Sequence, residues 1–143
     1  MSTPQVRIAP SIISVRPNLE VSDVAESCRF FADVLGLAVT QSAGDPLTFA
    51  ILGDPSQSGL GDVVAVVAME ELAVADVVAM FVEVGDLDIV IKRIDDAAID
   101  LAQPPTTHPW GLRDLVAVHP DGHLIGIGQR LAIEQEQAEP TAP

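Results

Sequence analysis

Three histidines, a lone cysteine and a recurring carboxylate are the side chains of this 143-residue chain with the most chemistry to offer. His119 and His123 bracket the turn HPDGH. With Asp121 or His108 as a third ligand they could hold one metal ion, although nothing in the spacing fixes that geometry. His108 lies beside Pro109 in the segment QPPTTHPWG, where an imidazole can contact a ligand. Cys28 has no partner cysteine, which excludes an intramolecular disulfide, a CxxC redox pair and a thiolate zinc site. Within a helical pattern it reads as a small core residue. Aromatic residues make up only 3% of the chain and there is no Tyr, so Trp110 with Phe49 and Phe81 is the one set available for stacking. Trp110 can equally serve as packing at a corner between loop and strand.

The elements that must position these groups follow from two periodicities. Val15–Val21 alternates after its proline, Leu19 and Val21 on one side and Asn18 and Glu20 on the other, as in a half-buried strand. Pro17 makes it an edge strand or marks its start. Ser22 or Asp23 then caps a helix with Glu26 at capping-box distance from Asp23, apolar positions Val24, Cys28, Phe31 and Leu35, and Gly36 as a left-handed terminus. Three strand-like runs come next: Leu37–Gln41, Leu47–Leu52 and Val63–Met69. The order repeats. Val78–Val84 is a strand, and Asp86 opens a helix with Leu87, Val90, Ile91, Ile94 and Ala98 on its apolar face. Leu101–Gln103, Leu115–Val118 and Leu124–Gln129 are three further strands. At one constant offset Leu19 aligns with Val82, Glu20 with Glu83, Val21 with Val84 and Asp23 with Asp86, which reads as a duplicated βαβββ unit. Gly53–Gly61 and Gln103–Gly111 are expected loops, and Glu134 to Pro143 (EQEQAEPTAP) an expected disordered acidic tail.

Pro17 to Val39, PNLEVSDVAESCRFFADVLGLAV, resembles the P-x-L-x-V-x-D-x-x-x-S-x-x-FY-x-x-V-L-G pattern that opens vicinal oxygen chelate proteins, the superfamily of glyoxalase I, extradiol dioxygenases, fosfomycin-modifying enzymes and bleomycin-resistance proteins. Pro109 to Ile127, PWGLRDLVAVHPDGHLIGI, is similar to the element that closes that fold. The resemblance implies an α+β architecture: two tandem βαβββ modules, about 13–70 and 77–131, forming a curled mixed sheet around a cleft with helices outside, within a single domain of residues 1–133. It also implies a divalent metal on the first strand of each module and on the last strand. Those positions carry Arg16, Ala79 and Gly126 here, and the fourth falls within the apolar Val63–Met69. A guanidinium has no lone pair to offer, and Ala and Gly have no donor side chain, so no metal or other cofactor is expected. In the same comparison His119 and His123 replace the Asp and Asn of a DPDG turn and are expected at solvent-side turn positions.

Without a metal the cleft becomes a pocket. Strand alternation turns Arg16, Asn18 and Glu20 into the concavity, and the repeat does the same for Ala79, Phe81 and Glu83. Glu20 and Glu83 then form a pseudo-symmetric pair suited to a cationic ligand, with Arg16 able to neutralise one of them, or they stand in water near strand ends. His108 falls in the cleft-side loop of the resemblance, and Trp110 occupies the loop that stacks on aromatic ligands in bleomycin-resistance members. The expected ligand site is Arg16, Asn18, Glu20, Phe49, Phe81, Glu83, His108 and Trp110, with no catalytic residue. The expected function is metal-independent binding of a cationic or amphipathic small molecule, in the manner of drug-sequestering proteins, as a homodimer. The competing readings are a metal-dependent lyase or dioxygenase with atypical ligands, a metal-free catalyst using Glu20 or Glu83 as general base, and an interaction module without a ligand.

Composition narrows the partners. Seven Lys and Arg against 21 Asp and Glu leave a formal charge of -14, which opposes any grip on phosphate backbones or anionic membranes. With 48% hydrophobic residues, a chain of this size buries roughly two-thirds of its unfolded surface without staples. Met1 to Arg7 lacks the pattern of a signal peptide and Val63–Met69 is too short to span a bilayer, so a cytoplasmic location is expected.

Overall fold

The computed structural model describes residues 10–56 and 61–131. The acidic stretch 134–143 lies outside the described residues, as does the middle of the Gly53–Gly61 segment. Each half folds as βαβββ. The first comprises β1 (Asn18–Val21), α1 (Val24–Leu35), β2 (Ala38–Ala43), β3 (Phe49–Gly53) and β4 (Asp62–Ala68). The second comprises β5 (Val78–Glu83), α2 (Leu87–Ala97), β6 (Leu101–His108), β7 (Leu112–Val118) and β8 (Leu124–Arg130). Two four-stranded mixed sheets result, ordered β1-β4-β3-β2 and β5-β8-β7-β6, each with one parallel pair made by its helical crossover. The fold is α+β, with no closed barrel.

The expected first strand is shorter than its alternation suggested. Pro17 has no N–H to give, so ladder pairing begins at Asn18, and the Pro17 carbonyl accepts from Ala65 N–H at 3.0 Å. β1 is an edge strand, which is where a flanking proline is tolerated. Asp23 caps α1, its carboxylate accepting from Glu26 N–H at 3.1 Å, and Gly36 ends it at φ 69°. Asp86 caps α2 in the same way through Asp88 N–H. Ala98 is not on the helix face as expected. It is the left-handed terminus of α2, at φ 54°, and Ile99 N–H closes onto Ile94 O at 3.1 Å.

A larger departure is β6, which occupies most of the expected loop Gln103–Gly111. Pro104 and Pro105 stand within it because β6 lies at a sheet edge and the ladder shifts register on both sides of Gln103, so neither imino nitrogen owes a hydrogen bond.

Leu19, Val21, Leu52, Val64 and Val66 of the first sheet pack with Phe30, Phe31 and Val34 of α1. Leu115, Ala117, Ile125 and Ile127 pack with Leu87, Val90 and Ile94 of α2, and both groups join one apolar core. Arg93 of α2 passes so close to Gly36 that a Cβ there would lie 2.5 Å from its guanidinium. The helices cover one face of the sheets and leave the other open. No helix among the described residues is long and apolar enough to cross a membrane.

Candidate functional site

The open face of the second sheet carries a continuous set of side chains because one strand lacks them. Met80 on β5 points into the core, so Phe81 points out, half exposed at 48%. Its neighbours on β8 are Gly126 and Gly128, and the ring lies across both: a Cβ at Gly126 would meet Phe81 Cδ1 at 2.9 Å, and one at Gly128 would meet Phe81 Cζ at 2.7 Å. The same missing Cβ of Gly128 would lie 3.0 Å from Asp114 Cβ on β7. Gly128 is thus the gap through which Phe81 comes alongside Asp114.

Asp114 organises the far half of this face. One carboxylate oxygen, Oδ1, accepts from Gln103 Nε2 at 2.8 Å and from His108 Nε2 at 2.8 Å. An ionised carboxylate only accepts, so His108 Nε2 bears a proton and donates it. The His108 ring stacks on Trp110, centroids 4.5 Å apart and planes 10° from parallel, while Trp110 itself is 70% exposed. Among the described residues neither Asp114 Oδ2 nor His108 Nδ1 makes a hydrogen bond. Phe81, His108 and Trp110 are therefore brought onto one surface, joined by two residues that sequence reasoning missed. Asp114 falls one residue before the expected strand Leu115–Val118, and its signal is a charge in alternation with the apolar Leu115 and Ala117. Gln103 stands where the expected strand Leu101–Gln103 meets the expected loop Gln103–Gly111.

The remaining expected site residues are elsewhere. Asn18, Glu20 and Phe49 lie on the first sheet, and Arg16 precedes β1. Arg16 does not neutralise a glutamate; it approaches Asp62 at 3.7 Å and donates to Ser14 Oγ at 2.9 Å, because Asp62 opens the neighbouring β4. Nor do Glu20 and Glu83 face each other across one cleft. Glu20 Oε1 accepts from Ala73 N–H at 3.0 Å, tying down the segment between the modules, and lines a cavity of about 310 Å³ with Asn18, Ala79 and His123. Glu83 pairs with Arg130 at 3.1 Å and lines a separate cavity of about 390 Å³ with Leu35, Val63 and Val82. Each carboxylate already has a local partner.

His119 and His123 are not at solvent-side positions: they are 1% and 4% exposed. Their turn is docked against the first module. Asp121 N–H donates to His119 Nδ1 at 3.0 Å, so the proton sits on Nε2, which donates to Ser27 Oγ of α1 at 2.7 Å. His123 Nε2 donates to the Glu20 carbonyl at 2.7 Å, and Asp121 accepts from Ser22 N–H and Oγ. Burial, with help from His123 and against Asp121, pushes the His119 pKa down to about 4. Burial alone would raise the Asp121 carboxyl, but the Ser22 hydrogen bonds and the two imidazoles hold it below its ordinary value. The turn joins the modules, with His119 engaged at both ring nitrogens.

A family model described as a glyoxalase-like domain matches residues 15–132. The chain belongs to that family. No curated protein matches it. Among solved structures, this glyoxalase-like domain is similar to TioX from Micromonospora sp. ML1, at 24% identity over 82% of this chain and 98% of that one, TM-score 0.66. A glyoxalase-related enzyme from Clostridium phytofermentans is 18% identical over 85% and 97%, TM-score 0.67. TnmS3, an antibiotic binding protein from Streptomyces sp. CB03234, is 19% identical over 87% and 99%, TM-score 0.65. These similarities establish the glyoxalase/bleomycin resistance/dioxygenase fold.

The metal implied by such a fold does not suit the residues of this glyoxalase-like domain. At the positions in question Arg16 is engaged with Asp62, Ala79 contributes a methyl group, and Gly126 lies under the Phe81 ring, which occupies the space a ligating side chain would need. Among the described residues no three His, Cys, Asp or Glu side chains converge on one point.

Proposed function

We propose that this protein binds an aromatic, amphipathic small molecule without a metal, and that it acts by sequestering a drug-like compound. The observation that carries the reading is the continuous outer face Phe81, Asp114, His108 and Trp110, two exposed rings on either side of a polar centre. Small-molecule sites are mostly apolar with a few placed polar groups, and this face has that composition. The antibiotic binding protein TnmS3 shares the fold, which supports the same use here. Asp114 and, across the ladder from Gly128, Glu83 are the carboxylates that the second sheet offers a cationic group. A second copy of the chain completes the site by covering the open sheet faces, where Val78 stands exposed beside Phe81. In that assembly Asn18, Phe49 and Arg16 of one protomer close over the second sheet of its partner.

A thermal-shift screen against bleomycin and other amphipathic aromatic antibiotics tests the reading. Hits are expected, and Trp110→Ala and Phe81→Ala should each weaken them about tenfold, in keeping with the stacking contribution of one ring in a site. Hits whose affinity neither substitution alters would reject this face as the site.

A further inference from the structure

Between the two modules lies a cavity of about 310 Å³, walled by β1, the start of β5, the segment that joins the modules and the HPDGH turn. Most of its wall is small and apolar, with Ala73 and Ala75 from the joining segment and Ala79 from β5. His123 lines it from the turn, 4% exposed and with Nε2 engaged by the Glu20 carbonyl at 2.7 Å. Glu20 is half-buried, and its carboxylate is placed in the wall by its own hydrogen bond: Oε1 accepts at 3.0 Å from the N–H of Ala73, itself a lining residue. An amide donor holds the carboxylate without cancelling its charge. Among the described residues no Lys or Arg pairs with Glu20, whereas Glu83, at the matching position of the repeat, is paired with Arg130. A carboxylate withdrawn from water without a counter-charge attracts a cation more strongly than one in bulk solvent, and the formal charge of -14 adds to that field. We infer that this cavity is a second ligand site, and that it takes a small aliphatic primary ammonium ion whose head pairs with Glu20 and whose apolar body lies against the alanines. The volume corresponds to about ten waters, which leaves room for a body of roughly six carbons. Of Arg16, Ala79 and Gly126 only Ala79 reaches this cavity, so it is separate from the position at which the fold would hold a metal. One carboxylate and one imidazole are also too few ligands for such an ion. The alanine wall offers no ring to stack on, which sets this ligand apart from the aromatic compound of the outer face.

The test compares cyclohexylammonium with cyclohexanol, alike in shape and different in charge, by calorimetry and methyl NMR at physiological salt, where loose attraction to the acidic surface is screened. The unmodified protein should bind one ammonium ion per chain about tenfold more tightly than the alcohol, the margin of a charge-assisted over a neutral hydrogen bond, with shifts at the methyls of Ala73, Ala75 and Ala79. Glu20→Gln removes the charge while its carboxamide oxygen still accepts from Ala73 N–H, so the joining segment stays tethered. It should bring the ammonium down to the affinity of the alcohol. Ala79→Leu, at an exposed position of β5, fills the cavity without entering the core and should abolish binding of both compounds. Equal binding of the two compounds, or binding of neither, overturns the site. A preference that survives Glu20→Gln, or binding that Ala79→Leu leaves intact, overturns it as well. Shifts at Phe81 and Trp110 in place of the alanines would put the cation on the outer face and have the same result. The reading of that face stands or falls separately, on the aromatic antibiotics.

Discussion

Gly128 shows how much of the site depends on a side chain that is missing. Any Cβ there would press on Phe81 Cζ at 2.7 Å and on Asp114 Cβ at 3.0 Å at once. Phe81 is half exposed and can swing away, while Asp114 is held by Gln103 and His108 and cannot. Gly128→Ala is therefore expected to lower ligand affinity at least tenfold while costing about 1 kcal/mol or less of stability. Paired calorimetric titration and urea unfolding would check this, and a stability loss with unchanged affinity would count against it. Ala98 is the opposite case, a Cβ where glycine belongs. At φ 54° an L side chain is strained by roughly 1 kcal/mol, so Ala98→Gly should raise unfolding stability by up to about that amount. A measured loss would mean that the terminus of α2 is held by more than its backbone geometry.

Among the elements, the HPDGH turn does work that its spacing concealed. His119 is buried neutral against Phe30 and Phe31, with His123 and Asp121 as its titratable neighbours. Its folded pKa of about 4 lies below the ordinary value of 6.5, so the unfolded chain binds the proton more readily. The stabilisation it represents is fully present above pH 6.5 and is lost as pH falls from there to about 4, on the order of 3 kcal/mol in total. Urea unfolding across that window should show the decline, and His119→Phe should flatten it; an unchanged slope would remove His119 as the cause. The helix caps and the duplicated βαβββ order were legible because Asp23, Asp86 and Gly36 act on residues a few positions away. The burial of His119 was not, because it depends on Ser27, 92 positions distant. β6 was hidden for a related reason: Pro104 and Pro105 are local loop signals, and only the edge position of the strand, a tertiary property, makes them harmless.

At the scale of the whole molecule, the carboxylates divide differently than the repeat suggests. Glu20 and Glu83 occupy matching sequence positions, yet one fastens the Ala73 backbone and the other Arg130. Asp114, outside the repeat, joins Glu83 on the open face of the second sheet. Among the described residues no element covers that face, and sedimentation should show a species of twice the 15.0 kDa chain mass at micromolar concentration. A strictly monomeric protein that still binds ligand would show that one copy suffices. The most direct measurement uses a property of the composition itself: one Trp and no Tyr, so emission excited at 295 nm reports Trp110 alone. Titration with an aromatic ligand found by thermal shift should quench that emission saturably, and Phe81→Ala should weaken the quenching in step with binding. Saturable stabilisation with Trp110 emission unchanged would place the ligand elsewhere and contradict the account.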